Sequence, residues 1–498
     1  MSFVQNFPFF SIILSMFCAI VSSVLPGKAA KWIHLAMVTV VLFLSLGVLQ
    51  YTLAAGESYT YMMGHYPAPW GNEIRIGPLE AIMAAAFALL MLLSVLGGLD
   101  HIEREVLGSK QNLFYILMDL LMSSLLALIY TNDLFTAYVF IEICTIAACG
   151  LIMAKKVGRV YVSAVRYMIM SLVGSGLFLI GLSLLYSITG HLLMSPAKEA
   201  LESILPQSRY TVPLTVILLL LTIGLGIKSG LYPFHTWIPD AYGYTTPAAS
   251  AVLSSLVSKG YIFLLIKLMV RVLPYGSLAG QHMTDVLFVF GIIGMIMGSV
   301  DAIRENNIRR MTSFSSVAQI GYIYMGLGLG TSAGMVAALF HVISHGAMKA
   351  LLFISISGLC EASGGRMDRF GLKGAGFRHK IAGLGFTVGS LSMIGMPLLT
   401  GFVSKYMFAS AATTAEPVKM IAAWIALAIS TTLNAVYFMR TVLVLYTSVP
   451  KEQREAKNYR PSGTEDAATL GLVLMNLALG IASPPVIAVL SGGLEIFG

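Results

Sequence analysis

Charge is scarce in this chain: Asp, Glu, Lys and Arg make up only 11% of its 498 residues, where an ordinary soluble domain carries about a quarter. That shortage, with 57% hydrophobic residues and a mean hydropathy of +0.83, excludes a soluble fold and points to a polytopic membrane protein. Cysteine is nearly absent. Cys18, Cys144, Cys149 and Cys360 all fall in apolar segments without metal-ligand or redox spacing, so they read as packed core thiols. The chain also lacks a phosphate loop, a nucleophile triad and a cofactor fingerprint. The zinc pattern HExxH fails at Val342, which follows His341. We therefore expect no catalytic residue, no metal and no cofactor on this chain. The net charge of +8 forms no patch, because the basic residues are scattered over short loops, and nucleic acid is excluded as a partner.

What is present is a succession of apolar runs, each long enough to cross a hydrocarbon layer about 30 Å thick. About fourteen spanning helices are expected, at 7–25, 32–55, 78–99, 112–130, 134–153, 161–189, 212–232, 246–270, 284–302, 311–330, 332–360, 381–412, 419–447 and 467–490. The first, FPFFSIILSMFCAIVSSVL, has no basic leader or cleavage site and reads as a retained helix. Loops after odd-numbered segments hold most of the basic residues, among them Lys28, Lys31, Arg104, Lys156, Lys451, Arg454, Lys457 and Arg460. Loops after even-numbered segments hold only Arg75, Lys198, Arg209, Arg271 and Lys419. The asymmetry places the odd loops in the cytoplasm and both termini outside the cell membrane.

Against this apolar background a few ionisable residues stand out. A charge at the centre of a membrane helix costs roughly 2.5–3.5 kcal/mol on insertion scales, so each needs a reason. Lys228 and Lys259 lie in consecutive segments, joined by a link containing Pro233, His235, Pro239, Asp240 and Pro247. Glu142 sits in FTAYVFIEICTIAACGLIM, apolar on both sides, and needs a cation such as Lys228 to stay ionised. His341, His345 and Lys349 recur every four residues and share one helical face. Histidine titrates near neutral pH and suits the middle of a proton relay. Lys405 follows GMPLLTGFVSK, where Pro397 and Gly401 interrupt the helix. Arg166 opens a Gly- and Ser-rich segment and is an accessory candidate beside Glu142, whereas GSG within that segment reads as a packing surface. His235 and Asp240 are accessory candidates in the link, Asp240 also fitting a cap or turn. Lys267, with Arg271, is expected to snorkel to the interface. The segments 246–270 and 381–412 both read as broken helices, one in each half, each with a lysine. That layout points to an inverted-repeat transporter.

The stretch PFHTWIPDAYGYTTPAASAVLSSLVSKGYIFLL with Lys228 upstream, HGAMKALLF around His345 and Lys349, TGFVSKYMF around Lys405 and the glutamate of the fifth segment together resemble a known family. It is the antiporter-like membrane subunit family shared by respiratory complex I, Mrp-type sodium/proton antiporters and membrane-bound [NiFe] hydrogenases. The resemblance covers roughly residues 110–445. It implies an all-α fold of about fourteen transmembrane helices with two inverted five-helix repeats, each holding a broken helix. Residues 1–110 would then be an N-terminal three-helix segment, 111–272 and 281–447 the repeats, and 448–498 a loop and last helix. By motif position, Glu142 and Lys228 would form an ion pair, Lys259 a relay lysine, His345 and Lys349 the bridge between halves, and Lys405 the terminal relay residue. The resemblance further implies a subunit that moves protons, with sodium as a second candidate, and carries no redox centre. Its partners would be other antiporter-like subunits and peripheral Fe–S subunits, a NiFe hydrogenase among the candidates. A lysine at 405 and an end without a long lateral helix favour the Mrp-like or hydrogenase-linked branch. A self-sufficient cation/proton antiporter and a structural membrane anchor are the alternative readings.

Overall fold

The computed structural model describes residues 3–66, 71–155, 157–205, 207–273, 277–448 and 461–497, and over these the chain is almost entirely helical. Lys156, Lys451, Arg454, Lys457 and Arg460 lie outside the described residues. Twelve helices among the described residues are long and apolar enough to cross a membrane. The other two expected segments are helical too. The segment expected at 311–330 is the helix Ile308–Gly328, and 381–412 divides into Lys380–Ile394 and Thr400–Ala412.

Two features were not anticipated. The connection after Gly27–Ala55 folds into an antiparallel hairpin, Tyr59–Met62 with Glu73–Ile76, which pairs Tyr59 with Ile76 and buries Tyr61, Ile74 and Ile76. The segment expected as one helix at 467–490 is two, Gly463–Ile481 and Ser483–Phe497, divided at Ala482.

The loops associate in two sets that follow the odd and even alternation of the spans. In one set Val106 bridges to Lys155, Asn307 bridges to Asp368, and Lys31 pairs with Glu103 at 2.8 Å. In the other, Ile74 bridges to Thr131, Asp133 bridges to Leu193, and Lys419 pairs with Asp285 at 2.6 Å. Gln5 and Ile496 both belong to the second set, through Tyr51 at 3.0 Å and Arg75 at 3.2 Å.

Two helices occupy the centre. The most apolar stretches of Pro247–Arg271 and Ser332–Glu361 are 100% buried by the rest of the chain, and Ile308–Gly328 is nearly as enclosed, only Arg310 and Phe314 being partly exposed. Ionisable groups on these two helices are therefore insulated from lipid by protein. They meet where Gly346 backs onto the Ser255 carbonyl, since a Cβ there would lie 3.1 Å from that oxygen. The four cysteines are all buried and unbridged.

Lys267 does not snorkel. It is fully buried and donates to the carbonyls of Leu128, Ile129 and Thr131 at 3.2, 2.6 and 2.6 Å, closing the C-terminal end of Gln111–Tyr130. Those carbonyls have no partner within their own helix, which is why an ammonium is tolerated there. Arg271 is buried as well, paired with Glu80 and bonded to the Phe497 carbonyl at 2.8 Å. Replacing Glu80 by Ala leaves that guanidinium buried without its counter-charge. The expected cost is about 3–5 kcal/mol, read as a lower thermal midpoint of the purified protein, and an unchanged midpoint would show the pair to be idle.

Candidate functional site

Lys228 occupies the last turn of Thr211–Ser229, and Glu142 the middle of Leu134–Ile152. Their charged atoms are 3.6 Å apart. The ammonium is fully buried, donates to Thr145 Oγ1 at 2.7 Å and lies over the Tyr261 ring at 5.5 Å. The carboxylate is less enclosed, its side chain 25% exposed, and accepts a hydrogen bond from Ser175. The GSG stretch is thus both packing surface and site. A Cβ on Gly174 would meet the Gly224 carbonyl at 2.8 Å and Lys228 Cγ at 3.1 Å, so glycine is what lets the lysine helix approach. Ser175, the next residue, holds the glutamate.

The first helix interruption is a π-helical stretch, Leu253–Val257, inside an otherwise continuous helix. A π segment shifts the hydrogen-bond register and loosens carbonyls from the α ladder. Lys259, fully buried, turns back to bond one of them, the carbonyl of Ser254. The second interruption is a true break. Lys380–Ile394 ends at Gly395, with φ 96°, and Leu398 takes the left-handed conformation at φ 70° before Thr400–Ala412 begins. Lys405 spans the break and donates to the freed carbonyl of Ile394 at 2.8 Å and to Thr431 Oγ1 at 3.1 Å.

Between the two breaks run the groups of Ser332–Glu361. Lys349 donates to the Thr312 carbonyl at 2.7 Å and to Ser315 Oγ. His345 stacks on His341 with ring centroids 5.5 Å apart, and neither nitrogen of His345 has a hydrogen-bond partner among the described residues. Lys259, Lys349 and His341 all lie within electrostatic reach of His345. His341 bonds Ser404 Oγ at 2.5 Å and stacks on Tyr322 at 5.9 Å, and Lys405 sits 5.5 Å from the centre of that same tyrosine ring. Tyr322 therefore joins the line although sequence reading passed over it. Its helix, Ile308–Gly328, buries Thr312, Ser315, Ser316, Gln319 and Tyr322, and so many polar groups in a buried span were the available signal.

The accessory residues gather elsewhere. Arg166 does not reach the Glu142 pair, because its half-exposed side chain turns to Asp240 at 2.5 Å. Asp240, in the first turn of Ile238–Tyr244, also accepts from Arg310, so it anchors the link instead of merely capping it. His235 stacks on Tyr232 at 4.8 Å and faces Asp301 at 3.9 Å. A further buried pair, His34 with Asp119 at 2.6 Å, was missed altogether.

A many-helix membrane protein with ionisable side chains strung across its buried centre is the class that fold and site define. Residues 131–431 match the family model described as NADH:quinone oxidoreductase/Mrp antiporter, transmembrane. The chain belongs to that family. It is 31% identical over 489 residues to NADH-quinone oxidoreductase subunit N of Desulforudis audaxviator, covering 96% of this chain and 95% of the relative. In fold it resembles a chain of the membrane-bound sulfane sulfur reductase, an archaeal respiratory membrane complex, with TM-score 0.88, 22% identity and coverage of 99% and 97%. It also resembles a chain of the Mrp complex from Dietzia sp., with TM-score 0.86, 20% identity and the same coverage, 99% and 97%.

The tight approach at Gly174 makes a test. Gly174→Val should force Thr211–Ser229 outward and destabilise the protein by about 1–3 kcal/mol. Gly176→Val, where an added Cβ meets nothing within 4 Å, should leave the thermal midpoint unchanged. Equal midpoints for the two variants would show that the contact does not position Lys228.

Proposed function

We propose that the chain is the ion-translocating subunit of a larger membrane complex and moves protons laterally along Glu142, Lys228, Lys259, His345, Lys349, His341 and Lys405. The observation that carries this reading is the setting of His345. It is wholly buried, has no hydrogen-bond partner for either ring nitrogen among the described residues, and lies among three other ionisable groups. A buried polar group left unbonded costs about 1–3 kcal/mol, so the imidazole fits a hydrated passage better than dry packing.

Coupling in this reading is electrostatic. Two unit charges about 4 Å apart interact by roughly 4 kcal/mol at an effective dielectric constant of about 20. When Glu142 moves away, the Lys228 charge loses its compensation, the potential at the next lysine becomes more positive, and Lys259 is pushed to release its proton. The vacated amine draws on the histidines, and the change passes on to Lys405. Residues 111–272 and 281–447 act as two inverted half-channels, each with a lysine that bonds a backbone carbonyl at a helix interruption. The partly exposed Glu142, flanked by exposed Val139 and Ile146, suits contact with a neighbouring subunit.

In the same reading the chain lies in the cell membrane with both termini outside, carries no cofactor, and takes its energy from peripheral redox subunits or from a sodium gradient. Lys228→Ala and Glu142→Gln, each in the assembled complex reconstituted into vesicles, should lower proton flux at least about tenfold while assembly is retained, a loss of some 1.4 kcal/mol or more in driving the step. Wild-type flux in either variant would refute the relay. Loss of assembly in both would favour a structural anchor.

A further inference from the structure

Away from the relay, three residues distant in sequence converge where the odd-numbered loops meet. His101 lies in the short helix Leu99–Glu105, Glu361 ends Ser332–Glu361, and Glu465 stands in the first turn of Gly463–Ile481. His101 Nε2 is 3.5 Å from Glu361 Oε2 and 3.8 Å from Glu465 Oε2, and a ligand atom from each of the three lies within 4.8 Å of the others. Tetrahedral zinc with bonds of about 2.0–2.1 Å sets its ligand atoms about 3.3 Å apart. The two edges from His101 Nε2 are within about half an ångström of that spacing, and the carboxylate–carboxylate edge, bounded by 4.8 Å, closes by rotation of the two glutamate side chains.

Two independent observations point to a ligand. Glu465 is only 2% exposed, yet its Oε1 has no hydrogen-bond partner among the described residues. The room for that oxygen exists because residue 358 is glycine, where a Cβ would sit 2.5 Å from it. In addition, a cavity of about 440 Å³ adjoins the cluster, lined by His101, Glu105, Arg309, Ser357 and Glu361 among others, and gives space for a water as fourth ligand. Glu105 Oε1 stands 3.8 Å from His101 Nδ1, outside hydrogen-bond distance but on the side from which a carboxylate could orient the imidazole.

We infer that His101, Glu361 and Glu465 form a binding site for a divalent cation of the zinc class. The cations around it have other partners. Lys155 pairs with Glu105 at 2.9 Å, and Arg309 donates to the Thr245 carbonyl and Ser250 Oγ at 2.9 Å each. Arg104, which pairs with Glu361 on the exposed side, is the competitor the metal displaces. The Ser357 hydroxyl, 2.7 Å from His101 Nε2, is displaced also. An occupied site ties the end of the helix bearing His341, His345 and Lys349 to two other segments. Resting on the relay proposed above, this lock would slow proton flux.

The test titrates zinc chloride into the purified full chain and counts bound metal by equilibrium dialysis. One zinc per chain is expected, weakened at least about tenfold by His101→Ala and by Glu465→Gln, and tightened by Arg104→Ala. X-ray absorption at the zinc edge on the wild type should show only nitrogen and oxygen ligands. A sulfur ligand would assign the metal to Cys360, which also lines the cavity, and would overturn the site, as would binding unaffected by all three substitutions. Vesicle flux is measured separately on the assembled complex. Site-specific binding that leaves flux untouched would overturn the lock, whereas flux lost in Lys228→Ala tests the relay without zinc.

Discussion

The cost of placing an ammonium out of contact with water governs this structure. An ammonium has three donors and no acceptor, and inside a bundle of helices nearly every backbone carbonyl is already engaged. Lysines therefore lodge where the helical ladder is interrupted. Lys267 takes carbonyls at the end of one helix, Lys259 takes one beside the π segment, and Lys405 takes one at the break after Ile394. Helix breaks and buried lysines are two sides of one solution: the break supplies the acceptor, and the lysine satisfies an orphaned carbonyl.

The same bookkeeping separates fixed lysines from those suited to exchange a proton. Lys267 fills its donors with carbonyls of Leu128, Ile129 and Thr131 and has nothing left to give. Lys259 has a single acceptor among the described residues, and Lys228 has the Thr145 hydroxyl with Glu142 farther off at 3.6 Å. Unfilled donors on a buried amine call for water or for loss of the proton, and both outcomes serve conduction. The distinction is invisible in composition, where all these residues are simply lysines in apolar runs.

That limit describes how far the sequence could be read. Glu142, Lys228, Lys259, His345, Lys349 and Lys405 were legible because one ionisable residue in an apolar run demands an explanation, and spacing alone put His341, His345 and Lys349 on one face. His34 and Asp119 carried the same signal and were overlooked, although their separation of 85 residues is no greater than that of Glu142 and Lys228. The π segment has no marker, since Leu253–Val257 is composed of residues that also suit an α-helix. The hairpin strands were hidden because four-residue runs are too short to show a period. Arg166 was a candidate either for Glu142 or for the cytoplasmic interface, and the fold gave it Asp240. Pairings that depend on which loops share a side of the bundle are settled only in three dimensions.

The anchoring of Asp240 bears on which part of the Glu142–Lys228 pair is free to move. Asp240 sits in the link between the helices of Lys228 and Lys259, and Arg166 and Arg310 hold it from two different helices. Tyr242 on the same link bonds Ser258 beside Lys259 at 3.1 Å, and Gly174 packs closely against Gly224 of the Lys228 helix. The lysine is thus fixed at both ends of its surroundings. Glu142 is held through one hydroxyl, on a helix whose apolar stretch is only half buried. A change in separation would be borne most cheaply by the less constrained partner, which is the glutamate. That carboxylate also reaches the outer surface of the bundle, and its partner is, among the described residues, the one buried lysine with no carbonyl to hold it.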